Sequence, residues 1–594
     1  MTQPIAHPSP DWRLVLLVFA AAASVLVGRA LWGSAATAPF ADTDDAMRMV
    51  RVLDFIHGQN WYDLTAHRLN TPFGAELHWS RLVDLPLAGL ILLLTPLFGG
   101  NTAMLAASYL WPLLLLACVL WLSAALANRL LGPAGVLPAV VLPIVSPAIT
   151  AEFAPGRIDH HGVIIILTLA MAWAGVEAVR RPGFALLCGL LAATALAIAT
   201  ESLPSIAAAI LAFGLLFVAD ARQGASMRRF GLAFAGGAAG HLMLFRPPGR
   251  WLEAACDVLS PVYVAVALAV AAAFVLASLL PGRHGWQRLA SLAGLGGAGM
   301  ALVAWTWPGC LAGPYGGLDP WLQVNWMANI VEAKPWSASV ADLPAYGLGV
   351  GVPVLLASLV TLYLAARRGP DRRQWAVLAT FLLAAGLVML VQVRGARLAI
   401  MPAMPAAAWL ILAARQAYLD RPRPAAIAGL VGSWLAFSGA ILGLLVAALV
   451  NLAPGVASDG GQARASTLAC LRPAAFADLA KLAPARIMAA IDLGAHLLLY
   501  THHDVVAAPY HRNQQGVRDA FAFFNDPLKV VRPMLAGRGI TMVVICPAMA
   551  ELDGLPSRAD DSFASLYAKG EVPAWLDVIS APDSMLTVYA VLPQ

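Results

Sequence analysis

The sequence predicts a polytopic α-helical membrane protein that ends in a soluble α/β domain. Its 594 residues are 60% hydrophobic and only 12% charged, whereas soluble proteins carry about 25% charged residues. Apolar runs of the length that crosses a bilayer recur up to residue 451. Beyond that point charge rises and the apolar runs shorten. We therefore expect a transmembrane domain over 1–451 and a soluble domain over 452–594.

Thirteen membrane spans are predicted from the apolar runs. The first run, Leu14 to Trp32, lacks a small-residue cleavage site, which indicates a retained span. The run 85–98 contains two prolines and is short, which favours an interfacial or re-entrant helix. The predicted spans are 13–32, 103–126, 134–151, 162–179, 184–200, 203–219, 229–246, 261–280, 288–306, 347–366, 374–393, 397–416 and 425–451.

Arginine clusters orient these spans. Pairs such as Arg180-Arg181 and Arg372-Arg373 lie in alternate loops, and loops rich in Lys and Arg are cytoplasmic. We therefore expect a bacterial-type inner membrane protein with a cytoplasmic N-terminus and a periplasmic or extracellular C-terminal domain. The modest net charge of +5 fits membrane orientation rather than nucleic-acid binding. The remaining, outer segments are 33–102, 152–161, the region around 201, 247–260, 307–346, 394–396 and everything after 451.

The segment after 451 has the pattern of a mixed α/β domain. Strands are predicted at Leu497 to Tyr500, Ile540 to Ile545 and Met585 to Val591, and helices at 514–524 and 527–536. Such alternation is typical of a small sheet covered by helices.

Four of the six cysteines fall in segments assigned to the outer face. In an oxidising compartment they are expected to pair as Cys256–Cys310 and Cys470–Cys546. The alternative is that they are unpaired, buried thiols.

An acid cluster in the first outer loop carries the strongest functional signal. Asp42, Asp44 and Asp45 lie within four positions beside a membrane, where charge is costly unless it binds a cation or faces water. Oxygen ligands suit Mg²⁺ or Mn²⁺, and an imidazole shifts the preference towards Mn²⁺. The alternative for Asp44 and Asp45 is that they cap a helix beginning near Ala46.

Further candidate ligands lie in the other outer loops. Asp159 and His161 in the second loop and Glu332 in the fifth could complete a metal site, with arginine beside it for phosphate. Asp159 to His161 could also be a plain polar loop tip, and Glu332 could simply pair with Lys334 or Arg394. A metal, a basic clamp and a membrane face together imply a lipid-linked phosphate substrate.

The order of motifs resembles the catalytic subunit of oligosaccharyltransferases, in the GT-C class of membrane glycosyltransferases. Asp42 and Arg48 match the spacing of a catalytic Asp and a basic residue in that family's first outer loop. Gly156, Asp159 and His161 match its Gly-x-x-Asp-x-acidic motif, with His161 in place of the second acid.

Two later motifs extend the resemblance. Glu332 followed by Pro335 matches a motif of the fifth outer loop, and Arg397 matches an Arg that meets the diphosphate. The resemblance implies Mg²⁺ or Mn²⁺ held by Asp42, Asp159, Glu332 and His161. It also implies a polyprenyl-diphosphate glycan donor. Asp42 or Asp44 would engage the acceptor. The residues predicted to bind phosphate are Arg397, Arg394 and Lys334.

The chain departs from the family at its acceptor motif. The Trp-Trp-Asp-Tyr-Gly motif corresponds to 490–494 here, which keeps Asp492 but neither Trp. Polar residues elsewhere in the outer segments are further candidates for acceptor contact. The full candidate set is His78, Asp492, His503, Tyr510, His511 and Arg512.

The sequence therefore predicts a metal-dependent glycosyltransferase. It would move a sugar or oligosaccharide from a polyprenyl-phosphate or polyprenyl-diphosphate donor to an extracytoplasmic acceptor. The alternatives are a transporter or flippase of a lipid-linked or anionic solute, and a non-catalytic subunit of an envelope assembly. Transporters place their sites near the bilayer midplane and often carry internal repeats, whereas the charges here lie in outer loops. The oligomeric state is left open.

Overall fold

The protein is a helical bundle followed by a region built on a small mixed sheet. The computed structural model describes residues 9–32, 38–452 and 466–593. Nineteen α-helices in the described ranges precede residue 452. They are α1 Trp12–Trp32, α2 Thr43–Ile56, α3 Arg81–Phe98, α4 Gly100–Leu131, α5 Val136–Ile144, α6 Pro147–Thr150, α7 His161–Ala178, α8 Phe184–Ile198, α9 Leu203–Ala219, α10 Gly224–Phe245, α11 Pro261–Leu279, α12 Gly285–Thr306, α13 Pro320–Asn325, α14 Trp336–Asp342, α15 Pro344–Ala366, α16 Arg372–Val391, α17 Gly395–Asp420, α18 Pro424–Phe437 and α19 Gly439–Asn451.

The chain is a multi-pass membrane protein. In the described ranges, ten helices are long and apolar enough to cross a bilayer, or eleven if α18 and α19, bent by 95°, form one broken span. The predicted number was thirteen. A helix does lie at every predicted span, but α5 and α8 are too short to meet this criterion alone, and α10 does not meet it either. The ten include α3, which was not a predicted span.

The prediction for 85–98 was wrong in length. This run belongs to α3, which begins at Arg81, has 18 residues and is itself long and apolar enough to span. Near its start, Asp84 pairs with arginines of α2. After the turn at Gly99, the Ser108 carbonyl of α4 accepts a hydrogen bond from Gly156. The α3–α4 hairpin thus leaves and returns to the same end of the bundle, so it does not invert the later loops.

Ion pairs tie together the opposite end of the bundle. Arg180 lies 2.7 Å from Asp371, and Arg373 lies 2.9 Å from Asp220. All four residues belong to loops that were predicted to be cytoplasmic. The two sets of loops are therefore separated onto the two ends of the bundle.

The C-terminal region is a five-stranded mixed sheet with order β4-β3-β5-β7-β6. Strand β3 runs parallel to β4 and β5, and β7 runs antiparallel to β5 and β6. A two-stranded hairpin, β1–β2, lies in the first loop. The strands are β1 Thr65–Ala66, β2 Ala75–Glu76, β3 Arg486–Ala489, β4 Asp504–Val505, β5 Met542–Ile545, β6 Leu576–Val578 and β7 Thr587–Val591, and the helices are α20 Ile491–Tyr500, α21 Gln514–Asn525, α22 Leu528–Arg538 and α23 Phe563–Ala568.

Most predicted elements of this region are confirmed, with one error. Strands β5 and β7 and helices α21 and α22 lie where they were expected. Leu497 to Tyr500, predicted as a strand, is instead the end of α20. A short apolar run by itself fits either a strand or a helix, and only the length of the whole element distinguishes them. Gly494 lets α20 pack closely, since a Cβ there would lie 1.8 Å from the Ala507 carbonyl oxygen.

The C-terminal region docks directly on the first loop. The Arg68 guanidinium donates to the carbonyls of Leu498 and Thr501 at 2.7 and 2.9 Å. The His496 ring lies 2.9 Å from the carbonyl oxygen of Phe40, ahead of α2. Helix α20 packs against α2. The start of α2 is therefore held between the bundle and the C-terminal region.

Both disulfides expected from the sequence are present in the structure. Cys256 pairs with Cys310, and Cys470 pairs with Cys546, with Cα–Cα distances of 5.2 and 6.1 Å. The first joins two loops at the same end of the bundle, and the second lies within the C-terminal region.

Replacing Asp84 is expected to destabilise the protein strongly. Its buried carboxylate lies 2.8 to 3.2 Å from Arg48, Arg51 and Arg81. Removing one partner of a buried ion pair costs ~3–5 kcal/mol, because the remaining charges stay buried without compensation. Asp84→Ala should therefore lower the melting temperature of the protein in detergent. The exposed pair of Asp478 with Lys481 provides the control, and an equal effect of Asp478→Ala would contradict this account.

Candidate active site

A cavity of about 580 Å³ lies between one end of the bundle and the C-terminal region. Seven segments, widely separated in sequence, each place at least one polar residue on its wall. These are the seven segments that the arginine pattern grouped on the outer face. The residues are Asp42, Arg157, Glu201, Asp257, Glu332, Arg394 and Asp492.

The start of α2 presents its three acids in three different ways. Asp42 is the N-cap, and its side chain accepts the amide of Asp44 at 3.0 Å. The helix thus begins at Thr43, three residues before the start expected near Ala46. Asp45 is fully buried, whereas Asp44 lies on the cavity wall. Capping therefore uses Asp42 rather than the two acids that follow it.

Asp45 fastens the second loop to α2. One of its carboxylate oxygens accepts the amides of Ile158 at 2.7 Å and Asp159 at 3.0 Å. Gly156 precedes this contact with φ of +93°, and a Cβ there would lie 2.0 Å from the carbonyl oxygen of Pro39. Only glycine fits so tight a position. The two loops are consequently joined by backbone contacts as well as by charge.

The Arg157 guanidinium lies among four carboxylates. Its Nη1 is 2.7 Å from Asp42 and 2.9 Å from Asp45. Its Nη2 is 2.7 Å from Asp159 and 3.3 Å from Glu152. One fixed positive charge thus bridges the first and second loops, a role that the sequence had suggested for a metal ion.

Ion pairs continue from this cluster towards the later loops. His161 Nδ1 lies 2.9 Å from Asp159, and its Nε2 lies 3.4 Å from Glu201. Glu152 is also 3.3 Å from Arg397. Acidic and basic side chains therefore alternate along this part of the network.

Two arginines at the start of α17 complete the network. Arg394 lies 3.1 Å from Glu201 and lines the cavity. Glu332 forms an ion pair with Arg397 and lies 3.8 Å from Arg394. Lys334, also predicted to bind phosphate, pairs with Asp342 at 3.5 Å and is not part of the cavity wall.

Asp44 differs from the acids that pair with Arg157, Arg394 and Arg397. It makes no ion pair with any residue in the described ranges, although it borders the cavity. Burial, followed by the nearby charges of Asp42 and Asp159, raises its pKa to about 8. Tyr510 lies next to it, and its hydroxyl donates to the carbonyl of Thr43 at 3.1 Å. Asp44 is thus a carboxyl group that can take up and release a proton near neutral pH.

Arg48 lies beneath the cavity rather than on its wall. Its side chain is 1% exposed, pairs with Asp84 at 2.8 Å and lies over the Trp79 ring at 4.3 Å. His160 Nδ1 is 3.5 Å from its guanidinium. Of the predicted catalytic residues Asp42 and Arg48, Asp42 therefore lies on the cavity wall, whereas Arg48 is buried behind it.

The four predicted metal ligands do not converge as a set. Asp42 and Asp159 face Arg157, and Glu332 faces Arg397. Two other groups within the described residues bring three ligand atoms within 4.8 Å of one another, which is close enough to hold a divalent ion. They are His160, His161 and Glu201, and Glu152, Asp159 and His161.

Comparison with known proteins bears on the fold. No protein-family model matches the sequence, and no curated protein matches it. Among solved structures, the archaeal oligosaccharyltransferase AglB from Archaeoglobus fulgidus, in complex with an inhibitory peptide and a dolichol-phosphate, superposes with a TM-score of 0.65. The match covers 98% of this chain and 74% of that chain at 15% identity.

The fold is that of the GT-C glycosyltransferases. Two further structures of the Archaeoglobus fulgidus oligosaccharyltransferase agree, each covering 98% of this chain. One is tethered to an acceptor peptide, with TM-score 0.62, 16% identity and 75% of that chain covered. The other is a complex with Zn and sulfate, with TM-score 0.61, 14% identity and 74% covered. The predicted oligosaccharyltransferase-like GT-C fold is thereby confirmed.

Several of the residues predicted to contact the acceptor do reach the cavity. His78, Tyr510 and His511 lie on its wall, and the rings of His78 and His511 are 4.5 Å apart. Asp257 holds His511 Nε2 at 2.7 Å and also accepts from Arg512. Arg512 is therefore a support behind the wall.

His503 was also expected to contact the acceptor, but the structure places it elsewhere. Its buried ring lies 2.9 Å from the carbonyl oxygen of Leu479 and 3.1 Å from the amide of Ala485. His503 thus stabilises the C-terminal region internally and does not line the cavity.

Asp492 shares its part of the wall with a second acid, Glu551. The Glu551 carboxylate accepts the amide of Ile491 at 3.0 Å, at the start of α20. Burial, then the charge of Asp42, raises the pKa of Asp492 to about 6. Burial, then the charge of Asp492, raises the pKa of Glu551 to about 7. This wall of the cavity carries two carboxyl groups that resist ionising together.

Sequence reasoning missed five residues of the network: Glu152, Arg157, Glu201, Asp257 and Glu551. Two of them carried a usable signal. Arg157 lies inside the motif that was noted, and Glu201 is a lone acid between two apolar helices, where charge is functional or paired. The other three are recognisable only from their contacts.

Glu551→Gln is expected to stabilise the protein at pH 8 and to change little at pH 5. Carboxyl groups with raised pKa values favour the folded state at low pH. That contribution is lost as the pH rises through about 6 to 7. Glutamine removes one charge but keeps an acceptor for Ile491. Melting temperatures at both pH values test this, with the exposed Glu571→Gln as control; a Glu551→Gln gain of the same size at pH 5 would refute it.

Proposed function

We propose that this protein transfers a sugar or oligosaccharide from a polyprenyl-phosphate or polyprenyl-diphosphate donor to an extracytoplasmic acceptor. The site would face the periplasmic or extracellular side of a bacterial-type inner membrane, with the N-terminus cytoplasmic. One observation carries the proposal: Asp44, which makes no ion pair among the described residues, shares a cavity with Arg394 and with Glu332, the partner of Arg397. In this proposal the carboxyl group serves as the base for the acceptor, and the two arginines serve as the clamp for the leaving phosphate.

Arg394 and Arg397 would hold the phosphate of the donor. Guanidinium groups bind phosphate oxygens bidentately, and neutralising the leaving group lowers the barrier to its departure. In the structure both arginines face Glu332. A donor phosphate would replace this carboxylate as their partner and would then occupy the position of the Glu332 carboxylate.

Asp44 would remove the proton from the attacking group of the acceptor. A general base must lie within hydrogen-bond reach of that proton, and a cation paired with a carboxylate lowers its basicity. Asp42 is committed to capping α2 and to Arg157, which favours Asp44 for this task. Asp42 would instead shape the wall beside it.

The acceptor would enter from the side of the C-terminal region. His78, Tyr510, His511 and Asp492 line that side of the cavity. No Trp accompanies Asp492 in 490–494, so the proposal does not commit the acceptor to a peptide sequon. A glycan, a lipid or a protein side chain would each meet imidazole, phenol and carboxyl groups there.

A divalent ion, for which Mg²⁺ or Mn²⁺ is the expectation, would be held by His160, His161 and Glu201. These ligand atoms lie close together beside Arg394. Such an ion would supply additional positive charge to the phosphate. Two imidazoles favour Mn²⁺ over Mg²⁺.

Asp44→Asn is expected to reduce transfer by about 10²- to 10⁴-fold, the usual contribution of a general base. Turnover would be measured with a labelled short-chain polyprenyl-diphosphate sugar and an envelope extract as acceptor source. Asp478→Asn, an exposed change away from the cavity, should keep wild-type turnover. If Asp44→Asn also keeps it, Asp44 is not the base. Movement of the labelled lipid across vesicles without any transfer would instead support the transporter alternative.

Arg394→Gln is expected to weaken binding of the same short-chain polyprenyl diphosphate about 10- to 100-fold. The loss corresponds to one charge-assisted hydrogen bond, ~1.5–3 kcal/mol. Lys334→Gln is the matched control, because Lys334 also lies in the predicted phosphate set but pairs away from the cavity. Calorimetric titration measures both variants, and an equal loss in the two would remove Arg394 from the donor site.

A further inference from the structure

The cation between the first and second loops is a side chain. Arg157 contacts both loops through separate nitrogens, with Asp42 and Asp45 on one and Asp159 and Glu152 on the other, all within 3.3 Å. Its side chain is 19% exposed and reaches the cavity wall. The position is therefore both enclosed by carboxylates and accessible from the cavity.

The backbone around Arg157 leaves it little freedom. The close approach of Gly156 to Pro39 fixes the residue before it. The amides of Ile158 and Asp159, directly after it, are held by Asp45. A side chain anchored on both sides is preorganised, so placing its charge costs little conformational entropy.

A divalent ion could not share this position with Arg157. Oxygen ligands hold Mg²⁺ at about 2.0–2.1 Å and larger ions at about 2.3–2.6 Å, so the carboxylates would have to close on the ion. Here the guanidinium stands between Asp42 and Asp159 instead. Arginine keeps its charge at all relevant pH values, and a second cation beside it would be repelled. In the described residues, neither three-ligand group contains Asp42 or Asp45, and the one that includes Glu152 and Asp159 takes its third ligand from His161.

We propose that Arg157 takes the place of a divalent ion between Asp42 and Asp159. It acts as a positioning residue, since it neutralises the two loops and holds the start of α2 against the second loop. A metal at His160, His161 and Glu201 is a separate matter. The expected effect on Mn²⁺ binding does not depend on the proposed function, whereas the expected effect on sugar transfer rests on it.

The test asks whether removing the guanidinium creates a metal site. In Arg157→Ala, four carboxylates lose their common cation, and Mn²⁺ should replace it. We expect Mn²⁺ to raise the melting temperature of this variant in a concentration-dependent way and to bind about tenfold or more tightly than to wild type. The additional binding should disappear in the double variant Arg157→Ala with Asp159→Asn. Arg157→Lys, which keeps a charge, should show no such gain.

Two controls separate the possible failures. Arg180→Ala, which breaks an exposed pair at the other end of the bundle, should not respond to Mn²⁺. The proposal is overturned if wild type itself binds Mn²⁺ and loses that binding in Asp42→Asn. It is equally overturned if folded Arg157→Ala gains no Mn²⁺ site. Should Arg157→Ala fail to fold, wild type, Asp42→Asn and Arg157→Lys still decide the question.

Turnover supplies a second readout. Arg157→Ala should lose transfer in EDTA and regain part of it with Mn²⁺, whereas Mn²⁺ should not restore Asp44→Asn. If wild type transfers no sugar under any condition, the proposed function fails. The Mn²⁺ titrations still report on Arg157 in that case.

Discussion

The site depends on the pairing of buried charges across loops that are far apart in sequence. Asp45 is fully buried, yet it is satisfied by two amides and one guanidinium of the second loop. A buried carboxylate without such partners would cost several kcal/mol. The first and second loops therefore form one structural unit, and the remaining acids and arginines are arranged around it.

This arrangement explains how many charges coexist at the end of an apolar bundle. One charged side chain pairs with several partners at once. Arg157 joins the first loop to the second, and Glu152 pairs with both Arg157 and Arg397. Sharing partners lowers the number of side chains that must be ordered. Within the described residues it also leaves Asp44, on the cavity wall, without an ion-pair partner.

Much of this could be read from the sequence, and the failures have physical reasons. Apolar length and arginine asymmetry placed the helices and grouped the loops, because both follow from the energetics of the bilayer. The partner of each charge could not be read in this way. Asp42, Asp44 and Asp45 look alike in sequence. In the structure Asp42 caps α2, Asp44 lines the cavity and Asp45 is buried in the core. Leu497 to Tyr500 failed because a short apolar run suits either a strand or a helix.

The disulfide between Cys256 and Cys310 has a consequence for when the cavity is completed. Asp257, next to Cys256, holds His511 and Arg512 of the C-terminal region, so one wall is fastened to a covalent link between two loops. Such links form in oxidising compartments. A newly made chain would thus complete this wall only once Cys256 and Cys310 have reached such a compartment and paired.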